Sequence, residues 1–306
     1  MLAKQQSLPH LAWLLAFAAL ACGEGPVEPP IAPEDTSVPF PIDGTGGPAT
    51  YKGLRLQLVD TGEPVVTAVD GVIGVVCVGM SNGNQECNAW IQQVAGAWSG
   101  EVNPAVRIVN CAVGGHAIEK WIDPAFDAAL WGDCVTRRLP QAGVRLDQVR
   151  VRDHRAASRF GLGRGAVRLL VAPPTDSDYF DFLGYLDAFA ARVRGKFPAV
   201  QAVYTSSRSY GGFSGRSDRG EPLSYEEGHA LNSWLADHRE VDGVRHAWGA
   251  YLWAPACGGG TPGNGGGICY QRGDYVDDGV HPSDAGRLKI ARLTHDRLRE
   301  HGWYRR

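Results

Sequence analysis

The hydrophobic pattern along this chain alternates between short apolar runs and longer stretches with helical spacing. The run 72–78 is continuous and β-branched, as expected for a strand that is buried on both faces. The predicted helices are 84–98, 124–139, 177–197, 224–239 and 282–301, and the other predicted strands are 106–113, 148–152, 167–172, 199–205 and 244–253. This alternation predicts an α/β fold, a single three-layer α/β/α domain with a mostly parallel sheet.

In sheets of this kind, ligands bind at the carboxyl ends of the strands. Ser81, Gly115 and Arg208 each come just after a predicted strand. We therefore expect all three at one edge of the sheet, which makes that edge the place to look for a site.

The N-terminus has the pattern of an export signal. Lys4 and His10 precede an apolar run, 11–21, that is too short to span a bilayer and ends at Cys22. Residues 1–21 are therefore predicted to be a signal peptide, and Cys22 the lipidation site of a bacterial lipoprotein, with ordinary secretion or a retained anchor as alternatives. Residues 22–50 are rich in Pro, Gly, Glu and Asp and are predicted to be a flexible tether to a domain at 51–306. The expected location is the outer membrane or cell surface, reached through the lipid alone, or else the periplasm or medium.

Composition narrows the class of protein. The 306 residues are 44% hydrophobic and 21% charged, enough for one large domain with a substantial core. A net charge of −3 and a pI near 6.3 provide no basic field for nucleic acid. The oligomeric state stays open.

Cysteine usage also favours export. Of the seven cysteines, six remain after Cys22, an even number that indicates disulfides in an exported chain. Cys257 and Cys269 are predicted to pair, because the glycine-rich stretch 258–268 between them has little to pack. The pairing of the other four stays open, and buried free thiols are the alternative. Metal-ligand spacing of the Cys-x₂-Cys kind is absent from the sequence, so no metal site is expected.

Two short segments carry residues for nucleophilic catalysis. Asp278 and His281 stand three apart, close enough to hydrogen-bond locally, and Ser81 lies in the string Gly-Met-Ser-Asn far upstream. A serine hydroxyl needs an adjacent base, and the base needs an orienting carboxylate, so these residues suit the roles of nucleophile, base and orienter. Pro282 disfavours helix at His281 and suits the first turn of the helix that follows. The alternative roles are a helix N-cap for Ser81, a capped surface histidine for His281 and a loop or capping carboxylate for Asp278.

Three strings, in the same order and spacing, resemble the sequence blocks of the SGNH (GDSL-like) hydrolases. They are Gly79-Met80-Ser81-Asn82, Asn110-Cys111-Ala112-Val113-Gly114-Gly115-His116 and Asp278 to His281. The resemblance spans 71–306 and is nearest to a bacterial branch close to the carbohydrate acetylesterases. It implies an SGNH or flavodoxin-like fold, an oxyanion hole that includes the amides of Ser81 and Gly115, no cofactor, and a small-molecule or carbohydrate ester as substrate.

One block departs from the family pattern. The family's third block usually supplies an Asn as a further oxyanion donor, within Gly-x-Asn-Asp, and that string does not occur in this sequence. The best positional match is a predicted loop, 153–158, in which Ser158 is a candidate substitute donor or an ordinary loop serine. Losing one such donor typically costs about 10²–10³ in turnover.

The departure leaves three functions open. The first is a serine esterase that removes O-acetyl groups from a carbohydrate. The second is a non-catalytic envelope protein that keeps the fold to bind a glycan or a partner, and the third is a lipase or broad esterase. Arg208, Tyr210 and His116 are candidates for binding sugar hydroxyls or a carboxylate, with a solvated arginine and a packed tyrosine as the alternatives.

Overall fold

The β-branched run near the start of the domain forms an interior strand of the sheet, buried along its whole length. The computed structural model describes residues 39–41, 48–50, 58–155, 178–216, 219–220, 223–254, 256–257 and 268–306, all of which belong to one unit, Asp35–Arg306. Within these residues a six-stranded sheet contains β3 (Ile73–Val78), β4 (Val106–Asn110), β5 (Val149–Arg155), β6 (Ala202–Ser206), β7 (Glu240–Val241) and β8 (Val244–Trp248). Their order across the sheet is β4-β3-β5-β6-β8-β7.

The sheet is parallel except at one edge. β3 pairs in parallel with β4 and β5, and β5–β6 and β6–β8 are also parallel, whereas the two-residue β7 runs antiparallel to β8. All six residues of β3 are buried, as a strand covered on both faces requires. Two further strands, β1 (Pro39–Pro41) and β2 (Pro48–Thr50), pair antiparallel inside the segment predicted to be a tether.

Helices cover both faces of the sheet, which confirms the predicted three-layer α/β/α class. The helices are α1 (Ser81–Ala95), α2 (Ile118–Ile122), α3 (Asp178–Lys196), α4 (Leu223–Asp237) and α5 (Asp284–Leu298). Val75 and Cys77 of β3 pack with Trp90 of α1 and Ala291 of α5. Val76 and Val78 face the other way, in the cluster that includes Trp121 of α2, Phe182 of α3 and Leu231 of α4.

Several predicted boundaries were wrong. The helix predicted at 124–139 consists of short 3₁₀ and π stretches that end in one α turn at Leu139–Gln141. The apolar spacing was correct, since Leu130, Trp131 and Cys134 are buried, but spacing alone does not set the hydrogen-bond period. β5 continues to Arg155, so the first three residues of the predicted loop 153–158 belong to a strand. β8 ends at Trp248, five residues before its predicted end.

Some predictions concern segments outside the described residues. These are the signal peptide 1–21, Cys22, most of the tether, the strand 167–172 and Ser158. Within the described part of the chain, no helix is long and apolar enough to cross a membrane. No group of three or more metal-ligating side chains is present there either.

Disulfides join the described cysteines in three pairs. The pairs are Cys77–Cys87, Cys111–Cys134 and Cys257–Cys269, the last of which is the pair predicted from sequence. Cys77 lies in β3 and Cys87 in α1, so that bridge spans the turn that carries Ser81. Cys111 directly follows β4 and leads into the Gly114-Gly115 turn. Two of the three bridges therefore anchor segments of the candidate site.

Candidate active site

Ser81 lies where β3 passes into α1. Met80 is the N-cap, with an extended backbone, and Ser81 is the first residue of the helix rather than its cap. The amides of the first helical turn have no acceptor within their own helix, so they are available to bind negative charge near Ser81. The turn is tied to the segment after β4 by a hydrogen bond of 2.9 Å from the Val113 amide to the Gly79 carbonyl.

Asp278 and His281 lie on a short hairpin, residues 274–283, that leads into α5. The hairpin is closed by two backbone hydrogen bonds of 2.9 Å, from Ser283 to Asp274 and from Val276 to His281. Ser283 then caps α5 through its hydroxyl, so Pro282 precedes the helix instead of opening its first turn. Asp278 and His281 thus lie on a turn whose two flanking segments are hydrogen-bonded to each other.

Gly279 makes the tight turn between the two catalytic candidates. Its φ of +65° is in the left-handed region that favours glycine. A Cβ at this position would lie 1.8 Å from the carbonyl oxygen of Phe213, in the loop after β6. No other residue type fits without displacing that backbone, so the hairpin and the loop constrain each other.

Ser81, His281 and Asp278 form a continuous hydrogen-bonded chain. The Ser81 hydroxyl lies 2.8 Å from His281 Nε2, and His281 Nδ1 lies 2.5 Å from Asp278 Oδ2. With the ring proton on Nδ1 donated to the carboxylate, Nε2 is free to accept the serine proton. The sequence indicated these three residues by their chemical type. The structure brings Ser81 and His281, 200 positions apart in the chain, within hydrogen-bonding distance.

The Asp278 carboxylate is set up to remain ionised. Its Oδ1 accepts from the amides of Val280 and His281 at 2.8 and 2.9 Å. Burial raises the pKa of Asp278, but the hydrogen bonds from the His281 ring and from these two amides outweigh that effect and lower the pKa to about 2. The carboxylate therefore stays charged over the range in which a histidine normally titrates.

The Gly114-Gly115 turn lies beside Ser81, as expected of an oxyanion-hole segment. The His116 amide hydrogen-bonds the Val113 carbonyl at 3.2 Å, and Gly115 has a φ of +77°, the geometry of a turn that calls for glycine. A Cβ at Gly114 would lie only 3.9 Å from the Cβ of Ser81. The ring of His116 turns back, with Nδ1 2.8 Å from the Gly114 carbonyl oxygen, so this ring donates to the turn.

Arg208 and Tyr210 lie in the loop after β6, residues 207–214, at the same edge of the sheet. The Arg208 side chain is only 11% exposed, which contradicts the alternative of a solvated arginine, and its Nε lies 3.7 Å from Oε2 of the buried Glu227. Tyr210 packs edge-on against Phe213, and its carbonyl accepts from the Tyr275 hydroxyl at 2.7 Å. This loop therefore supports the hairpin that carries Asp278 and His281.

A cleft is lined by residues adjacent in sequence to Ser81 and His281. One wall comes from the start of α1, a second from the loop after β6, and a third from the tip of the hairpin, with Met80, Asn82, Arg208, Tyr210, Gly279 and Val280 among its lining residues. The cleft joins the three segments whose residues were singled out in the sequence. A ligand in it would lie against the residues next to Ser81.

Asn82 and Glu227 were not assigned any role from the sequence. Asn82 donates from Nδ2 to the Val280 carbonyl at 2.9 Å and so links the nucleophile segment to the hairpin. Its place beside Ser81 in the motif was the signal that could have indicated this. Glu227, buried in α4 against Arg208, had no comparable signal, because nothing in the local pattern connects it with residue 208.

No protein-family model and no curated protein matches the chain. Among solved structures it is similar to a catalytic mutant of an acetylxylan esterase from Geobacillus stearothermophilus, with 13% identity and a TM-score of 0.44 over 79% of this chain and 100% of that chain. It is also similar to a GDSL-like lipase from Bacteroides thetaiotaomicron, with 11% identity and a TM-score of 0.41 over 77% of this chain and 92% of that chain. The fold class rests on the sheet described above, and the chemistry of the site rests on the triad.

Proposed function

We propose that this chain is a serine esterase that removes small acyl groups, foremost acetyl, from a carbohydrate. The observation that carries the proposal is the unbroken chain of hydrogen bonds from Asp278 through His281 to Ser81. Independent local structure supports each of the three roles: a helix start, a closed hairpin and two amide hydrogen bonds to the carboxylate. A surface histidine that served only in capping would not be expected to lie within hydrogen-bonding distance of a serine hydroxyl.

The geometry supports acyl transfer in two steps. Ser81 Oγ attacks the ester carbonyl carbon while its proton passes to His281 Nε2, and Asp278 stabilises the imidazolium. The tetrahedral oxyanion is held by the amides of Ser81 and Gly115. Its collapse breaks the bond to the alcohol oxygen, which takes the proton from His281. Water, deprotonated by His281, then releases the acid and regenerates Ser81.

The decisive test is covalent labelling. A fluorophosphonate probe should label the purified protein at Ser81, and p-nitrophenyl acetate should be hydrolysed, whereas folded Ser81→Ala protein should do neither. Labelling elsewhere, or equal hydrolysis by both proteins, would reject this site. Absence of both reactions in the parent protein would favour the non-catalytic, glycan-binding alternative.

A second measurement addresses the lipase alternative. We expect the rate on p-nitrophenyl esters to fall as the acyl chain lengthens beyond acetyl and propionyl. A preference for chains of eight or more carbons would make the protein a lipase or broad esterase with the same triad.

Export is part of the proposal. The disulfides suit an oxidising compartment. We expect lipid incorporation during growth with a labelled fatty acid, and its loss in Cys22→Ala. A secreted, unlabelled product would instead indicate ordinary secretion. Ser158 as a third oxyanion donor stays a prediction from the sequence.

A further inference from the structure

The residues that line the cleft carry two buried polar atoms that no group in the described part of the chain satisfies. Asn82 Oδ1 and Arg208 Nη1 are both shielded from solvent, and neither has a hydrogen-bond partner among the residues that the structure describes. One is an acceptor and the other a donor. Buried polar atoms normally find partners, so each indicates a group that enters the cleft.

The identity of the unpaired atom of Asn82 is fixed by its neighbour. The amide nitrogen of Asn82 donates to the Val280 carbonyl, an oxygen that can only accept. The side chain therefore cannot exchange its oxygen and nitrogen without losing that bond. The atom left without a partner is an acceptor, and any group that satisfies it must donate a hydrogen.

Among the described residues, the charges that line the cleft or pair with its lining cancel. Arg208 lies against Glu227, which is 1% exposed, with 3.7 Å between Nε and Oε2. Arg219 and the buried Glu86 also line the cleft. Two arginines and two glutamates give a formal charge of zero, so the cleft offers an anionic ligand no net attraction.

We propose that this cleft is a specificity pocket for the alcohol part of the ester, in which free hydroxyl groups of a neutral polyol accept from Arg208 Nη1 and donate to Asn82 Oδ1. The proposal rests on the esterase function proposed above and adds the feature of the substrate that the protein recognises, its free hydroxyl groups. A hydroxyl group both donates and accepts, so a single ligand class satisfies both atoms.

Other ligand classes satisfy the pocket less well. A carboxylate or phosphate has no hydrogen for Asn82 Oδ1, and it would meet an arginine already paired with Glu227. An aliphatic chain would leave both atoms unpaired in a buried site, which is unfavourable. The pocket therefore selects for hydroxylated alcohols and against both charged and purely apolar ones.

The test compares two acetates of similar ring size. One is a methyl xylopyranoside with a single O-acetyl group and free hydroxyls, and the other is cyclohexyl acetate, which has no hydroxyl. The readout is the ratio of kcat/KM on the first to kcat/KM on the second. In Arg208→Lys, which keeps a positive charge facing Glu227 but removes the Nη1 donor, we expect this ratio to fall at least about tenfold, because a site built to bind a hydroxyl discriminates strongly by it.

A matched control separates this effect from the loss of any arginine. Arg292 lies on the exposed side of α5 and pairs with Asp296 there, and Arg292→Lys should leave the ratio unchanged. A ratio unchanged in Arg208→Lys as well would overturn the proposal, because water alone would then satisfy the two atoms. A parent enzyme that prefers a uronic acid ester to the neutral glycoside would overturn it too.

A binding measurement keeps the proposal testable if hydrolysis fails. Calorimetric titration of Ser81→Ala protein with the acetylated glycoside should give a Kd that weakens at least about tenfold in Ser81→Ala/Arg208→Lys, for the same reason. Binding of this kind without any hydrolysis by the parent would reject the esterase and retain the pocket. Hydrolysis of p-nitrophenyl acetate without hydroxyl discrimination would retain the esterase and reject the pocket.

Discussion

Two segments deliver the catalytic candidates, and they are held in different ways. The nucleophile segment, residues 77–87, is held locally: it follows the buried β3, begins α1 and is spanned by the Cys77–Cys87 disulfide. The hairpin 274–283 is held by distant residues, since the Tyr275 hydroxyl donates to the Tyr210 carbonyl across 65 positions, and the Phe213 backbone leaves no room for a side chain at Gly279. The comparison teaches that the serine segment has a disulfide of its own in addition to its long-range hydrogen bonds, whereas the hairpin has none and relies on contacts with the loop after β6.

The largest expected effect comes from removing the reacting groups themselves. Ser81→Ala and His281→Ala should each reduce kcat on p-nitrophenyl acetate by about 10⁵-fold or more, while Asp278→Asn should retain measurable activity, reduced by about 10³–10⁴-fold. Asp278 only orients and stabilises, so its loss costs less than the loss of the nucleophile or base. Circular dichroism would show that the variants are folded. Asp278→Asn as inactive as Ser81→Ala would show that the hairpin collapses without its carboxylate.

The second prediction concerns a substitution in the hairpin at its contact with the loop after β6. Gly279→Ala places a methyl group 1.8 Å from the Phe213 carbonyl oxygen, at a φ of +65°. We expect at least about 100-fold loss of kcat, because displacing a catalytic group by about 1 Å is enough for such a loss. Kinetics at a temperature well below the unfolding midpoint would measure it.

Gly273→Ala is the matched control for that variant. Gly273 lies at the base of the same hairpin, and a Cβ there meets no atom within 4 Å. Its kcat should stay within about twofold of the parent, since an open position tolerates a methyl group. Equal losses in the two glycine variants would mean that the contact with Phe213 does not position His281.

The third prediction attacks the nucleophile segment at its disulfide. The double variant Cys77→Ala/Cys87→Ala should lower the free energy of unfolding by about 2–4 kcal/mol, because the cross-link restricts the unfolded chain. Its kcat should fall less than that of Gly279→Ala, since β3 and α1 still hold Ser81 in position. Urea unfolding and kinetics on the same preparation would compare the two effects.

Thiol mass spectrometry provides the check on that experiment. Protein exported to the periplasm should contain the six described cysteines in oxidised form. Six free thiols, with full stability, would show that the nucleophile segment does not need its bridge. A kcat loss larger than that of Gly279→Ala would reverse the comparison between the segments.

The fourth prediction concerns the pH dependence of stability, which a buried histidine outside the candidate site should control. His246 is buried on β8, and burial, together with the positive charges of Arg152 and His238, lowers its pKa from 6.5 to about 3. Between these values the unfolded chain binds a proton that the folded chain does not. The free energy of unfolding should therefore fall as pH falls, by about 2 kcal/mol between pH 7 and pH 5 for this residue.

His246→Gln should flatten that dependence. Urea unfolding at pH 7 and pH 5 would measure the pH dependence of the free energy of unfolding. If that dependence were the same in His246→Gln, the acid sensitivity would belong to other groups such as His229, whose pKa burial also lowers to about 3. Catalytic activity should fall in both proteins alike as the pH is lowered from 8 to 5, because a protonated histidine cannot accept the serine proton.

The sequence by itself determined the class of fold and the three candidate catalytic residues. A continuous β-branched run has one stable environment, between two helical layers, and β3 occupies it. Asp278 and His281 stand three apart on a turn, so their hydrogen bond is a local property of the chain. Patterns of this range can be read without knowing the rest of the molecule.

Only the tertiary structure decided what surrounds those residues. It placed Arg208 against Glu227, turned Asn82 toward Val280, and set Gly279 against Phe213. It also extended β5 to Arg155 and broke the helix predicted at 124–139 into tighter and wider turns. The physical reason is that each of these features depends on packing between segments far apart in the chain, and a periodic pattern reports only which side of an element is buried, not which partner lies opposite.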